Sequence, residues 1–262
     1  MSIKYYVVDA FSALAFGGNP AAVCILDAPL DDLKLQAIAA EFNLSETAYL
    51  IHQGADTWEL RWFTPATEVN LCGHATLASA WVLWHEMGFE IPALRFLTRS
   101  GELTATRTGD GATLNFPLIP TAPLGAEDNL SALFPEAQAI AIAGEDLLLE
   151  LNDEAAIGAY IPNLPAITAL PYRGVIITAA AEHKPYQIAS RFFAPRFGIN
   201  EDSVTGSMHC ALADYWGKKL QLSQFVALQA SARKGVLRVE LLGARVALWG
   251  QAVVTMEGNL RV

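Results

Sequence analysis

The chain has 262 residues, 53% hydrophobic and 17% charged, with a formal net charge of −10. That composition supports a large core in one or two domains, and without a block of Lys or Arg it argues against nucleic acid or an anionic membrane as partner. The apolar runs break well short of the ~20 residues a membrane span needs. No signal-peptide pattern precedes the first strand, and an odd set of three cysteines suits a reducing compartment, so a soluble cytoplasmic protein is expected.

In chain order, "IKYYVVDAF" reads as a strand and "GGNPAAVCIL" as a turn leading into a second. "APLDDLKLQAIAAEFN" suits an amphipathic helix with Leu33, Ala37, Ile38 and Phe42 as its apolar positions. "LSETAYLI" and "TWELRWF" follow as strands, then the Ala-rich helix "GHATLASAWVLWHEM", then a meander with turns at Ser100-Gly101 and Gly109–Gly111. "PLIPTAPLGAED" is the candidate linker, and it divides the chain into a domain 1–118 and a domain 119–262 whose last strands may return to the first. The second half repeats the alternation and ends in a strand meander.

The halves share more than a rhythm. "RWFTP" (Arg61–Pro65) recurs as "RFFAP" (Arg191–Pro195), 130 positions later, and each copy precedes a glycine that opens a helix-like run. Pro65 to Gly73 spans 8 positions and Pro195 to Gly206 spans 11, so the second copy carries a three-residue insertion. Aligned on the glycines, His74 matches Ser207, Ala78 matches Ala211 and Ala80 matches Ala213. The chain is therefore read as two homologous halves, each a sheet with a helix apolar nearly all round and hence buried.

Two glycine-led helix N-termini facing one cleft would offer unpaired N–H groups and positive dipole ends to a carboxylate. Alternatively, Gly73 and Gly206 are tight turns before core helices. His74, on the first turn, is either a capping residue or a hydrogen-bonding group kept neutral by the dipole. Asp202 and Ser207 are caps or ligand contacts. Glu46 is the odd residue: with period two it shares an apolar strand face with Leu44, Ala48 and Leu50. It is either paired to an arginine such as Arg61, or poised to take a proton at one carbon and return it at another. Cys72 suggests a two-thiol racemase, but its counterpart is Thr205, and Cys210 lies inside the second helix. Dinucleotide, P-loop, serine-hydrolase and zinc-protease patterns are absent. His74, His209, Asp202 and Glu46 have no metal-ligand spacing, so no metal is expected.

"VDAF…GGNPAAVCIL", "NLSETAYL", "RWFTPATEVNLCGHATLASA", "EDSVTGSMHCALADYW" and "QASARKG" together resemble the PhzF family of phenazine-biosynthesis-like proteins over nearly the whole chain. The resemblance implies the α+β, diaminopimelate epimerase-like fold, with two similar domains, each a mostly antiparallel sheet rolled around a central helix. It also implies a homodimer and an isomerase without cofactor, acting on a small carboxylic acid such as a dihydro-hydroxyanthranilate. It gives Glu46 the acid/base role, from the family's "SET" motif. It makes His74, Asp202 and Ser207 substrate-binding, and the turns at Gly73 and Gly206 go with them. Two departures stand out. Ser203 replaces a usual proline, loosening the turn beside Asp202, and Lys234 stands where "R-G-G" is common. A racemase using Cys72 and a non-catalytic binding protein are the alternatives.

Overall fold

The computed structural model describes residues 2–124 and 130–262. The chain forms two compact units, 1–115 with 249–262, and 116–248.

In chain order the first unit contributes β1 (Ser2–Ala10), β2 (Asn19–Leu26), α1 (Asp32–Phe42), β3 (Glu46–Gly54), β4 (Thr57–Phe63) and β5 (Glu68–Val69). Then come α2 (Gly73–His85), β6 (Ala93–Thr98), β7 (Gly101–Thr108) and β8 (Gly111–Pro117). The second unit holds β9 (Thr121–Pro123), α3 (Leu130–Leu133), β10 (Ala139–Ala143), β11 (Asp146–Glu150), α4 (Glu154–Ala159) and α5 (Leu164–Ala169). It continues through β12 (Val175–Ala180), β13 (Ile188–Ala194), β14 (Ile199–Asp202), α6 (Gly206–Leu220), β15 (Gln224–Gln229) and β16 (Gly235–Leu242). The chain returns along β17 (Arg245–Gly250) to β18 (Ala252–Arg261), which pairs with β1 in the first unit. No helix among the described residues is long and apolar enough to cross a membrane.

The two units repeat one pattern of pairings. In the first, β1·β2 is antiparallel, β2·β3 parallel, β3·β4 and β4·β5 antiparallel, β4·β6 parallel and β6·β7 antiparallel. In the second, β10·β11, β11·β12, β12·β13, β13·β14, β13·β15 and β15·β16 run in the same order of orientations. The recurring "R-x-F" has a physical cause in both. Arg61 forks onto Glu68 of the short return strand (Nε–Oε1 and Nη2–Oε2 both 2.8 Å), and Arg191 onto Glu201 (2.7 and 3.0 Å). Each guanidinium also lies over the phenylalanine two residues on, 5.1 Å from Phe63 and 5.0 Å from Phe193. Arg61 takes Glu68 and Asp32 as partners, so it is not the partner of Glu46.

Helix α2 packs on β1, β2, β3, β7 and β18, with ten of its residues buried, as its all-round apolar sequence demands. Helix α1 covers the other face of β3: Leu35, Ile38 and Ala39 meet Tyr49 and Phe63, and the Tyr49 hydroxyl donates to Leu35 O at 2.6 Å. The helix face is thus rotated from the expected one; Leu33 is 84% exposed and Ala37 is also exposed. Covered on both sides, β3 is buried from Thr47 to Leu50, not half-buried. Glu46 still lies on the inner side, with Ala48 and Leu50. The candidate linker is a linker only in part: Thr121–Pro123 pairs with Ala141–Ala143, and its residues 125–128 lie outside the described residues.

Candidate active site

Because β2 and β3 run parallel, with Ala21 opposite Glu46, the strand starts lie side by side. Asn19 opens one and Glu46 the other, and the first turn of α2 brings His74 to both. The ring is buried; its Nε2 lies 3.1 Å from Glu46 Oε2, and its Nδ1 lies 3.2 Å from Asn19 Nδ2. Ser45 Oγ donates to Asn19 Oδ1 at 3.2 Å, which turns the Asn19 amino group toward the ring. Cys72 Sγ sits 3.6 Å from Nδ1 and 4.0 Å from Nε2. Glu46 Oε2 is buried yet accepts no hydrogen bond: it is close to Nε2 but off the line of the ring N–H. The Glu46 side chain keeps 14% of its surface open.

Burial opposes a charge on His74, but its contacts with Cys72 and with the Glu46 carboxylate outweigh it and hold the ring's pKa well above the ordinary value. The Glu46 carboxylate, 3.1 Å away, thus acts against the neutral imidazole that the helix dipole favours. Burial, then the Glu46 charge, pushes the Cys72 thiol up, so Cys72 stays protonated at neutral pH. No side chain caps α2 at Cys72, which is extended (φ −145°, ψ 114°). The Gly73 turn therefore leads into first-turn amides that no capping oxygen claims.

In the second unit α6 starts in the same way: Thr205 is the extended N-cap (φ −116°, ψ 103°), without a capping side chain. Everything beside it is tied down. Thr205 Oγ1 donates to Asp202 Oδ2 at 2.6 Å, and Thr205 N donates to Gln229 Oε1 at 2.7 Å. Gln229 Nε2 donates to Asp202 O at 2.9 Å, and Ser231 Oγ to Ser203 O at 2.8 Å. The turn that Ser203 should loosen is therefore anchored from β15 and the segment after it. Ser207 Oγ receives Arg173 Nη2 at 3.1 Å, and Arg173 is itself forked onto buried Asp146. Lys234 occupies a left-handed conformation (φ 57°).

Glu46, Gly73 and His74 are thus grouped in the first unit, and Asp202, Gly206 and Ser207 in the second. The sequence reading passed over Asn19 and Ser45, which look like turn residues in "GGNP" and "LSET". It also passed over Asp146, Arg173 and Gln229, which no local pattern marks. Donors able to hold a metal converge at Glu46, Cys72 and His74, with ligand atoms all within 4.8 Å of one another. His209 is buried elsewhere, with Nδ1 2.8 Å from Thr205 O.

The family model for PhzC-PhzF, phenazine biosynthesis-like protein, matches residues 8–258. An uncharacterized isomerase of Pseudomonas aeruginosa is 46% identical over 262 residues, covering 100% of both chains. The crystal structure of a PhzF-family phenazine biosynthesis protein from Enterococcus faecalis superposes with a TM-score of 0.94 at 39% identity, with 100% of each chain covered. A hydroxyproline epimerase from Agrobacterium vitis shares the fold alone, with a TM-score of 0.64 at 12% identity over 99% of this chain and 92% of that one. The fold is α+β and diaminopimelate epimerase-like.

Proposed function

We propose, from the premise that this chain belongs to the PhzC-PhzF family of phenazine biosynthesis-like proteins, that it is an isomerase moving a proton along a small carboxylic acid with Glu46 as acid/base. The observation that supports this reading is a buried carboxylate oxygen that accepts no hydrogen bond, 3.1 Å from His74 Nε2. As carboxylate, Glu46 takes a proton from an sp³ carbon beside the substrate's double bond, and the electron pair delocalises along the unsaturated system. As carboxylic acid, it returns that proton to the far carbon. His74 orients a substrate polar group and stabilises the charge on Glu46. In the first unit the amides after Gly73 bind a substrate carboxylate; in the second, Gly206, Ser207 and Asp202, the last fixed through Thr205 and Gln229, are the substrate-binding residues. The reaction as drawn needs no metal or organic cofactor. The homodimer implied by the resemblance is part of the proposal and is checked by sedimentation.

The racemase reading has one observation in its favour: Cys72 Sγ lies 3.6 Å from His74 Nδ1. Against it, the matching N-cap is Thr205, and the Cys72 thiol is held protonated. Solvent exchange decides. Incubating small cyclic amino acids and unsaturated acids with the protein in D₂O should place deuterium at carbon, and Glu46→Gln should lower that rate by about 10²–10⁴-fold. Cys72→Ser should cost at most about tenfold. The assignment fails if Cys72→Ser abolishes exchange while Glu46→Gln retains it. Binding without exchange in any substrate would make the chain a binding protein.

A further inference from the structure

We propose that Arg173 is a specificity-determining residue of the second unit, recognising a carboxylate of the substrate together with Ser207; this rests on the isomerase reading and deepens it. Strand register locates the residue. Thr47 pairs with Phe63 and Val175 with Phe193, and the two phenylalanines end the matched "RWF" and "RFF". Gly174 therefore takes the place of Glu46, Arg173 that of Ser45, and Ser207 that of His74. In the first unit a carboxylate from a strand start meets the first turn of α2, with Glu46 Oε2 3.1 Å from His74 Nε2. In the second a guanidinium meets the first turn of α6, with Arg173 Nη2 3.1 Å from Ser207 Oγ. One frame carries an acid in one copy and a cation in the other.

Glycine at 174 admits that cation. A Cβ there would lie 2.4 Å from Phe192 Cζ and 2.8 Å from Phe193 O. The Phe192 ring fills the space instead, and the Arg173 guanidinium lies over it, 5.3 Å from its centroid. Hydrogen-bond accounting shows which donors remain. Of the five on a guanidinium, Nε and one on Nη2 go to buried Asp146, and the other on Nη2 goes to Ser207. Those on Nη1 meet no acceptor among the described residues. Ser207, having accepted, keeps its own hydroxyl proton to give, and α6 begins without a capping side chain. Asp146 balances the guanidinium charge, and Glu145 and Asp202 are within Coulombic range. The substrate therefore meets directed donors and not a bare cation. An arginine that only holds the fold differs: Arg191 gives Nη1 to Ile157 O and Tyr160 O, and its side chain is 13% exposed against 32% for Arg173. Donors alone select the free acid over its amide, whose NH₂ would set donor against donor.

2-Aminobenzoate and 2-aminobenzamide share one shape and differ at that group. By calorimetric titration, the full wild-type chain should bind the acid at least about tenfold more tightly than the amide. Arg173→Gln alone leaves Asp146 buried and unpaired, which puts the fold at risk. The test variant is therefore Asp146→Asn with Arg173→Gln, which buries no lone charge. It should bring the two affinities within about twofold of each other, and Arg173→Lys, which keeps a cation beside Asp146, should recover part of the preference. In the exchange assay the double variant should raise KM at least about tenfold and leave kcat within about threefold. A merely structural clamp would lower the thermal midpoint and leave the acid-to-amide ratio unchanged, which overturns the proposal. So does a wild type that binds the two probes equally or binds neither. Loss of the ratio in a protein whose Glu46→Gln variant exchanges normally would sink the isomerase assignment and leave Arg173 standing as a carboxylate contact. Glu46-dependent exchange with an unchanged ratio would do the reverse.

Discussion

The helix starts at Cys72-Gly73-His74 and Thr205-Gly206-Ser207 are copies of one backbone with opposite side-chain economies. Both N-caps are extended and uncapped. Three residues past each glycine a side chain bonds back to the N-cap carbonyl: Thr76 Oγ1 to Cys72 O at 2.5 Å, and His209 Nδ1 with Thr205 O at 2.8 Å. Around α6 the polar groups are cross-linked, Asp202 with Thr205, Gln229 with both, and Ser207 with Arg173, and the buried atom left without a hydrogen bond is an imidazole nitrogen, His209 Nε2. Around α2 the donors crowd together and leave one carboxylate oxygen without a hydrogen bond. Duplication preserved the frame and freed one copy to keep an unsatisfied acid.

That contrast can be broken experimentally. The largest effect should come from Glu46→Gln, with the loss of exchange given above and a thermal midpoint close to wild type. In the other copy, Asp202→Asn should weaken substrate binding and also lower the midpoint, since Thr205 loses its carboxylate.

The arginine clamps offer a second comparison. Arg191 also donates to Ile157 O and Tyr160 O, at 3.1 and 2.9 Å, in the last turn of α4 and at its C-cap, whereas the extra partner of Arg61 is the exposed Asp32. Arg191→Gln should therefore cost about 3 kcal/mol in urea unfolding, and Arg61→Gln about half of that.

Position 209 gives a pH test. Burial drives the His209 pKa down to about 4, so between that value and the ordinary 6.5 the unfolded chain binds more protons than the folded one. Its stabilising contribution is complete above the unfolded pKa and falls as pH drops toward the folded one, by on the order of 3 kcal/mol. His209→Thr, which installs the residue of the first copy, should flatten the stability profile between pH 7 and pH 4, measured by denaturant midpoints.

The smallest effect is a gain. Lys234→Gly relieves a left-handed backbone (φ 57°) and should stabilise by roughly 1 kcal/mol, less the added chain entropy of glycine.

Much of this plan was legible because duplication writes the same physics twice. "R-x-F" repeats because each arginine must reach both a return-strand glutamate and a phenylalanine two residues on. The glutamates themselves were hidden: Glu68 and Glu201 follow their arginines by different intervals, 7 and 10 residues, so no fixed spacing links them. α4 and α5 carry one buried side chain each, Ile157 and Ile167, too few to set a period. Leu33 misled because an apolar residue at a helix start does not fix which face turns inward. Glu46 stood out because a charge broke an apolar alternation. Asp146 and Arg173 escaped because a pair 27 residues apart forms only once the parallel strands β11 and β12 have come together.

The pairing of β1 with β18 sets Ser2 against Arg261. For a chain emerging from the ribosome, the second unit has all its strands before the first can close its sheet. The unit begun first is finished last, across one of the longest loop closures the chain can make, and that step is the expected slow one in folding. Until it occurs, one edge of β1 stands unpaired beside α2, and that helix gains its cover from β18 only with the last strand.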